Sequence, residues 1–152
     1  MEDKIWTDIE FFLLTEEQKT GIFKFDDGTV IYLKKGKHHR DDGPAIEYAT
    51  GSKHWYKEGN LHRDDGPAIE YATGSKHWYK EGKLHRDDGP AIEYGTGDRS
   101  WYKYGKLHCL DGPAIEFVNG EVGVFYIENT KYTEEEWKKL SFAILNNLEV
   151  FL

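Results

Sequence analysis

The chain has 152 residues, of which 38% are hydrophobic, 32% are charged and 15% are aromatic. This composition leaves little aliphatic material for a globular core, so large rings must supply much of the buried area. The formal net charge of −8 argues against direct binding to nucleic acid or to an anionic membrane surface. No apolar run reaches membrane-spanning length, and a single cysteine, Cys109, excludes an internal disulfide, which favours a reducing compartment such as the cytoplasm.

Residues 1–19 precede any repeating pattern and are predicted to form an N-terminal cap. Their apolar residues suit a short amphipathic helix, although the segment 11–14 could equally be a strand. The residues that suggest the helix are Ile5, Trp6, Ile9, Phe12 and Leu13.

Residues 20–128 consist of five copies of a 23-residue unit. Residues 39–59 and 62–82 are identical, residues 85–105 are a close copy, and residues 108–128 are a weaker one. A degenerate first copy lies upstream, where Asp27-Gly28 stands 23 residues before Thr50-Gly51. A fixed period of this length is the signature of a repeat architecture, in which each unit packs only on its neighbours.

Each copy carries an Asp-Gly, Asn-Gly or Thr-Gly pair between strand-like residues, which predicts a β-hairpin with a two-residue turn. The turns are expected at Gly28, Gly51, Gly74, Gly97 and Gly120, and the hairpins at 21–35, 44–58, 67–81, 90–104 and 113–127. The segments between hairpins, such as residues 59–66, are predicted to be joints.

A two-residue turn at Thr50-Gly51 would place Ile46 opposite Trp55 and Glu47 opposite His54. The alternation of side chains then predicts a core face with Ile46, Tyr48 and Trp55, together with Trp78 and Trp101 of later copies. The same face would hold Phe23, Phe25 and Tyr32 in the first copy and Ile115, Phe117 and Val124 in the last. The opposite face would hold Ala45, Glu47, His54 and Tyr56.

Residues 129–152 are predicted to form a C-terminal helical cap. Thr133 and Glu136 have the spacing of a capping box, and Tyr132 and Trp137 occupy the positions of a hydrophobic staple, so a helix is expected over 134–147. The predicted fold is therefore mainly β: one domain of stacked antiparallel β-hairpin repeats, with a C-terminal capping helix and a second helix near the N-terminus.

The 23-residue period and the pattern Trp78-Tyr79-x-x-Gly82-x-Leu84-His85 resemble MORN repeats, and more closely their short bacterial and viral variants. The resemblance implies an elongated array of hairpins used for scaffolding or binding, and the host cytoplasm as location if the protein is viral. The step from Asp65 to Ala68 differs from the glycine-rich step of MORN repeats, so the resemblance does not extend to lipid binding.

The joints repeat a histidine followed by aspartates, a pairing that could bind a divalent metal. Because the pattern recurs in every joint and has no recognised ligand spacing, a structural role is predicted instead, with no metal and no cofactor. Cys109 follows His108, but adjacent residues in an extended segment point apart, so Cys109 is expected to pack against the C-terminal helix rather than act as a nucleophile. The joint residues are His39, His62, His85 and His108, with Asp42, Asp65, Asp88 and Asp111.

The face opposite Ile46 is predicted to present an acidic-aromatic strip that binds another protein. Tyrosine supplies interface area at low entropic cost, whereas catalysis needs one shielded constellation, so the chain is predicted not to be an enzyme and to have no catalytic residues. The alternative is that the same residues only solvate an exposed sheet. The strip consists of Glu47, Glu70, Glu93, Glu116, Tyr56, Tyr79, Tyr102, His54 and His77.

The sequence is also compatible with other functions. One is a bacteriophage-encoded inhibitor of a host defence system, of the anti-CRISPR or anti-restriction type, which acts as a nucleic-acid mimic or as a nucleotide trap at the His-Arg joints. Another is an antitoxin or immunity-type protein. A protein partner is expected in most of these cases, a small nucleotide ligand only in one.

Overall fold

The computed structural model describes residues 5–147, so residues 1–4 and 148–152, the outermost parts of the two predicted caps, lie outside the described residues. The chain is mainly β and is built of antiparallel hairpin repeats with two short helices, which confirms the predicted fold class. It divides into two compact units, residues 1–83 and 84–152. No helix within the described residues is long and apolar enough to cross a membrane.

The first unit is a sheet with the strand order β1-β2-β3-β5-β6-β9-β10, in which β4 also pairs with β3 and β7 forms a separate pair with β8. All pairs are antiparallel except β1 with β2. The elements are β1 Ile5–Trp6, α1 Asp8–Phe12, β2 Gly21–Phe25, β3 Val30–Lys34, β4 Lys37–His38, β5 Ile46–Glu47, β6 Lys53–His54, β7 Tyr56–Lys57, β8 Asn60–Leu61, β9 Ile69–Glu70, β10 Lys76–His77 and β11 Tyr79–Lys80; β12 Lys83–Leu84 leads into the second unit.

The second unit repeats the same plan. β13, β14 and β17 form an antiparallel sheet, while β15 pairs with β16 and β18 with β19. Its elements are β13 Ile92–Glu93, β14 Arg99–Ser100, β15 Tyr102–Lys103, β16 Lys106–Leu107, β17 Ile115–Glu116, β18 Phe125–Ile127, β19 Thr130–Tyr132 and α2 Glu134–Leu145.

The predicted turns lie where expected, but in the first four copies each is one residue longer than predicted, whereas in the last copy Ile115 lies opposite Val124, in the predicted register. Gly51 N–H donates to the Tyr48 carbonyl and Tyr48 N–H donates to the Ser52 carbonyl, so residues 49–51 form a three-residue loop with Gly51 at φ 91°. This is the type I turn followed by a left-handed glycine that three-residue hairpin loops use. The other four predicted turn glycines also have positive φ: Gly28, Gly74, Gly97 and Gly120.

The longer loop shifts the register by one residue, so the predicted pairing was wrong. Ile46 lies opposite His54 rather than Trp55, and Glu47 lies opposite Lys53. Because a shift of one residue moves side chains to the other face, Trp55 is not on the face of Ile46. Trp55, Trp78 and Trp101 are half-buried on the opposite side, and Tyr32 takes the same position in the first copy.

Two-residue primed turns do occur, in the segments predicted to be joints. Glu58 and Gly59 both have positive φ, 50° and 86°, and connect β7 with β8, as a type I′ turn requires. Each repeat therefore contains two successive hairpins rather than one hairpin and an irregular joint. The equivalent pairs are Lys35-Gly36, Glu81-Gly82, Tyr104-Gly105 and Glu128-Asn129.

Both ends carry helices, each with a complete capping box. In α2, Thr133 and Glu136 bond each other's backbone N–H groups as predicted, and the helix ends at Leu145 rather than at residue 147. Trp137 packs on Phe125 and donates from Nε1 to the Cys109 carbonyl at 2.9 Å. Cys109 therefore joins the C-terminal helix as expected, and burial raises the pKa of its thiol.

The N-terminal prediction was right about a helix but wrong about its packing. The segment forms β1 and a five-residue α1 after the N-cap Thr7. Of the predicted apolar set only Trp6 reaches the core, while Ile5, Ile9, Phe12 and Leu13 are exposed. Phe11, from α1, and Leu14, just beyond the C-cap of that helix, pack on the sheet instead.

Candidate functional site

The observed strand register gives the sheet of each unit two faces, which differ in amino-acid composition. In the first unit we name one the tyrosine–histidine face, which consists of Ile46, Tyr48, His54, Tyr56, Ile69, Tyr71, His77 and Tyr79. The other is the arginine–tryptophan face, which consists of Arg40, Glu47, Trp55, Arg63 and Glu70. The nine residues of the predicted acidic-aromatic strip are thus divided between opposite faces, with the glutamates on one and the tyrosines and histidines on the other.

On the arginine–tryptophan face the joint arginine acts as a clamp. Arg63 donates from Nε to Asp65 at 2.8 Å and from Nη1 to Glu70 at 3.0 Å and to the Pro67 carbonyl at 3.3 Å. Its Cζ lies 4.1 Å from the centre of the Trp55 ring, in the preceding repeat. Arginine suits this place because its planar fork can bond and stack at the same time. Arg40 makes the same contacts with Asp42, Pro44, Glu47 and Tyr32.

The glycine of each Asp-Gly-Pro step makes room for this clamp. A Cβ at Gly43, Gly66 or Gly89 would lie 2.9, 3.0 or 3.1 Å from the Cζ of the joint arginine, so the guanidinium group would have to move to make room for it. In the last joint Cys109 replaces the arginine, and there a Cβ at Gly112 would meet nothing within 4 Å. The sequence His-Arg-Asp-Asp-Gly-Pro is therefore explained by structural contacts within each repeat and with the preceding one.

The joint histidines are also held by structural contacts. His62 Nδ1 accepts from Glu81 N–H at 3.2 Å, and its Nε2 faces Asp64 at 3.2 Å. Because Nδ1 is an acceptor, the ring proton lies on Nε2 and points at the carboxylate. His39 makes the same two contacts. Within residues 5–147, no three His, Cys, Asp or Glu side chains converge as a metal site.

Glu47, Glu70 and Glu93, the first three members of the predicted acidic ladder, are ion-paired rather than free. Each lies 3.0 Å from the Nη1 of its joint arginine. Glu116 stands where the joint lacks an arginine, and its nearest cation is Arg99 at 4.0 Å. Glu47, Glu70 and Glu93 are therefore committed to stabilising the repeats, which the sequence did not predict because the joint arginines were considered only as a possible nucleotide site.

On the tyrosine–histidine face, tyrosine and histidine rings contact one another above buried isoleucines. His54 lies 4.8 Å from Tyr48 and 5.9 Å from Tyr71, measured between ring centres, and His77 lies 5.1 Å from Tyr71. Tyr48 and Tyr71 are each 37% exposed, whereas Ile46 and Ile69 beneath them are buried. Burial, followed by the neighbouring tyrosines Tyr48, Tyr79 and Tyr71, raises the pKa of Tyr56.

The second unit presents the same kind of face. Ile92 is buried, Tyr94 is exposed and Tyr102 is half-buried, and Ser100 replaces the histidine. Burial and then Tyr94 and Tyr126 raise the pKa of Tyr102. Tyr48 was predicted to be a core residue but is 37% exposed, whereas the equivalent Phe25 is buried because Phe11 packs on it.

Among the described residues, neither ring nitrogen of His54 has a hydrogen-bond partner, although both atoms are buried. The rings facing it are Tyr48, Tyr56 and Tyr71, while Glu47 and Glu70 of the flanking strands lie on the other face. Burial lowers the pKa of His54, and His77 and His38 lower it further. Burial also lowers the pKa of both those neighbours.

We expect acidification to destabilise the first unit. In the unfolded chain these histidines have the ordinary pKa of about 6.5, whereas burial lowers their pKa in the folded state. The stability of the fold is therefore fully present above pH 6.5 and is lost as the pH falls below it. The window from about pH 6.5 to 5 precedes carboxylate titration. Urea denaturation at stepped pH measures the loss, and His54→Phe, which keeps a ring, should remove part of it. If the free energy of unfolding of His54→Phe fell with pH as steeply as that of the wild type, His54 would not contribute to the loss.

Comparison with known proteins identifies no family for this chain. No protein-family model matches it, and a search of curated proteins finds no significant match.

Proposed function

We propose that this protein is a non-catalytic binding module that engages another protein through its tyrosine–histidine face. The observation that carries the proposal is the row of partly exposed tyrosines, Tyr48 and Tyr71, standing over buried isoleucines on a sheet face. Aromatic rings with a polar tip tolerate water in the free state and supply area at low entropic cost when covered. The side chains repeat with the hairpins, so they form a strip rather than a shielded pocket, which favours binding over catalysis.

The carboxylates of the predicted acidic-aromatic strip do not belong to the tyrosine–histidine face. Glu47 and Glu70 lie on the arginine–tryptophan face and are paired with Arg40 and Arg63. The partner would be selected by ring contacts and hydroxyl hydrogen bonds, with the joints serving as a scaffold. A MORN-like scaffolding role and an antitoxin or immunity role would both fit such a face.

A second candidate is an inhibitor of a nucleic-acid-binding protein that acts by mimicry, as a phage-encoded defence inhibitor would. Its support is that the joints that carry an arginine also carry two adjacent, highly exposed aspartates, such as Asp41 with Asp42 and Asp64 with Asp65. A nucleotide trap at the same joints is less favoured. The arginine Nε and Nη1 atoms already bond carboxylates and a carbonyl, and the exposed aspartates would repel phosphate.

Affinity capture from the native cell can separate the two candidates. We expect the partner retained by the wild-type protein to bind at least tenfold more weakly to Tyr48→Ala/Tyr71→Ala, because truncating aromatic anchors typically costs more than about 1.4 kcal/mol. The matched variant Asp41→Asn/Asp64→Asn keeps an acceptor for each joint histidine and should bind normally. Loss in the asparagine variant with retention in the alanine variant would favour mimicry and reject the proposal.

A further inference from the structure

The first repeat shows what the sheet face accepts, because the chain's own N-terminal segment covers it there. The Phe11 ring lies 5.2 Å from Phe23 and 5.3 Å from Phe25, in edge-on contacts. Trp6 lies 5.2 Å from Phe23, and Leu14 completes the cluster. The occupant is thus a short segment that presents aromatic and aliphatic side chains: Trp6 from β1, Phe11 from α1, and Leu14 just beyond the C-cap of that helix.

The covered platform continues in repeats two and three with the same backbone register. Phe23 pairs with Ile31, Ile46 with His54 and Ile69 with His77, each 23 residues further along both strands. At the equivalent sites Phe25 becomes Tyr48 and then Tyr71, and Leu33 becomes Tyr56 and then Tyr79. The side chains that α1 covers are purely apolar, whereas their uncovered equivalents are rings that also tolerate water.

The uncovered platform is electrically neutral near pH 7. The pKa of Tyr56 is raised by burial and by other tyrosines, and the pKa of His54 is lowered by burial and by other histidines. Both groups therefore remain uncharged, and the neighbouring glutamates point to the other face. A neutral aromatic surface selects an apolar occupant rather than a basic or an acidic one.

We infer that the occupant of this face in repeats two and three is a short segment of the partner that presents an aromatic and an aliphatic side chain three residues apart, as Phe11 and Leu14 are in the segment that covers the first repeat. It would dock on Ile46, Tyr48 and Tyr56 and their equivalents as α1 docks on the first repeat. This inference rests on the proposed function and adds the chemistry of the partner to it.

A synthetic peptide of residues 5–18 is the probe, added to the intact protein and followed by NMR of the histidine ring protons. We expect saturable shifts at His54 and His77, and at least tenfold weaker binding by the Tyr48→Ala/Tyr71→Ala protein. The control peptide carries Phe11→Ala and Leu14→Ala and should produce no shifts. Circular dichroism of the protein variant checks that it is folded, since both tyrosines are partly exposed.

Two results would overturn the inference. One is the absence of shifts at His54 and His77, and the other is shifts confined to the first repeat, where the peptide would only replace the chain's own α1. If the captured partner still depends on Tyr48 and Tyr71 in either case, the proposed function stands and only the partner chemistry is wrong. If partner capture is indifferent to those tyrosines, the proposed function fails whatever the peptide does.

Discussion

Replacing Phe23 by alanine should destabilise the first unit by about 3–5 kcal/mol, the usual range for removing a buried phenylalanine. Phe23 is 4% exposed and its ring contacts both Trp6 and Phe11. The substitution leaves a cavity beneath α1 and removes the surface on which that helix packs. Helix α1 has only five residues and would not persist alone, so the N-terminal segment should detach with it.

The neighbouring residue provides a matched control. Ile22 belongs to the same strand but is 56% exposed on the other side, so Ile22→Ala should cost less than about 1 kcal/mol. Urea denaturation followed by tryptophan fluorescence measures both variants, since Trp6 reports on the docked segment. Equal losses in the two variants would show that α1 does not depend on this face, and would also remove the template for the inferred partner.

Replacing Arg63 by alanine should cost about 2–4 kcal/mol, because the side chain holds one repeat against the next. Its loss leaves the Pro67 carbonyl without its charged donor and removes the cation–π contact with Trp55. The ion pair with Asp65 contributes little to this figure, since that carboxylate is exposed to water. The Arg63 side chain is only 22% exposed, so its lost packing contacts add to the loss of stability.

Two further variants isolate the fork geometry from the charge. Arg63→Lys keeps the charge but cannot bond Asp65, Glu70 and the Pro67 carbonyl together, so it should recover less than half of the loss. Arg99 is 58% exposed and 4.0 Å from Glu116, so Arg99→Ala should change stability by no more than about 0.5 kcal/mol. The clamp would be refuted by wild-type stability in Arg63→Lys, or by equal effects at Arg63 and Arg99.

The sequence by itself determined where each repeat begins and turns. The 23-residue period placed glycines with positive φ at all five predicted turns, because a repeated unit must meet the same backbone requirement each time. It also located both halves of the capping box at α2, since Thr133 and Glu136 satisfy each other's backbone over three residues. These features depend on local interactions, which is why the pattern was sufficient.

Only the tertiary structure decided which side chains share a face. Thr50-Gly51 is compatible with a two-residue or a three-residue loop, and the choice moves Trp55, His54 and the predicted binding strip to opposite sides. The deciding contacts are long-range. Trp55 N–H bonds the Ala68 carbonyl of the next repeat, Ala68 is fully buried where the repeats meet, and Arg63 spans from Trp55 to Glu70. Packing between repeats therefore decides which side chains share a face. The 23-residue period defines each repeat but does not show how one repeat packs on the next.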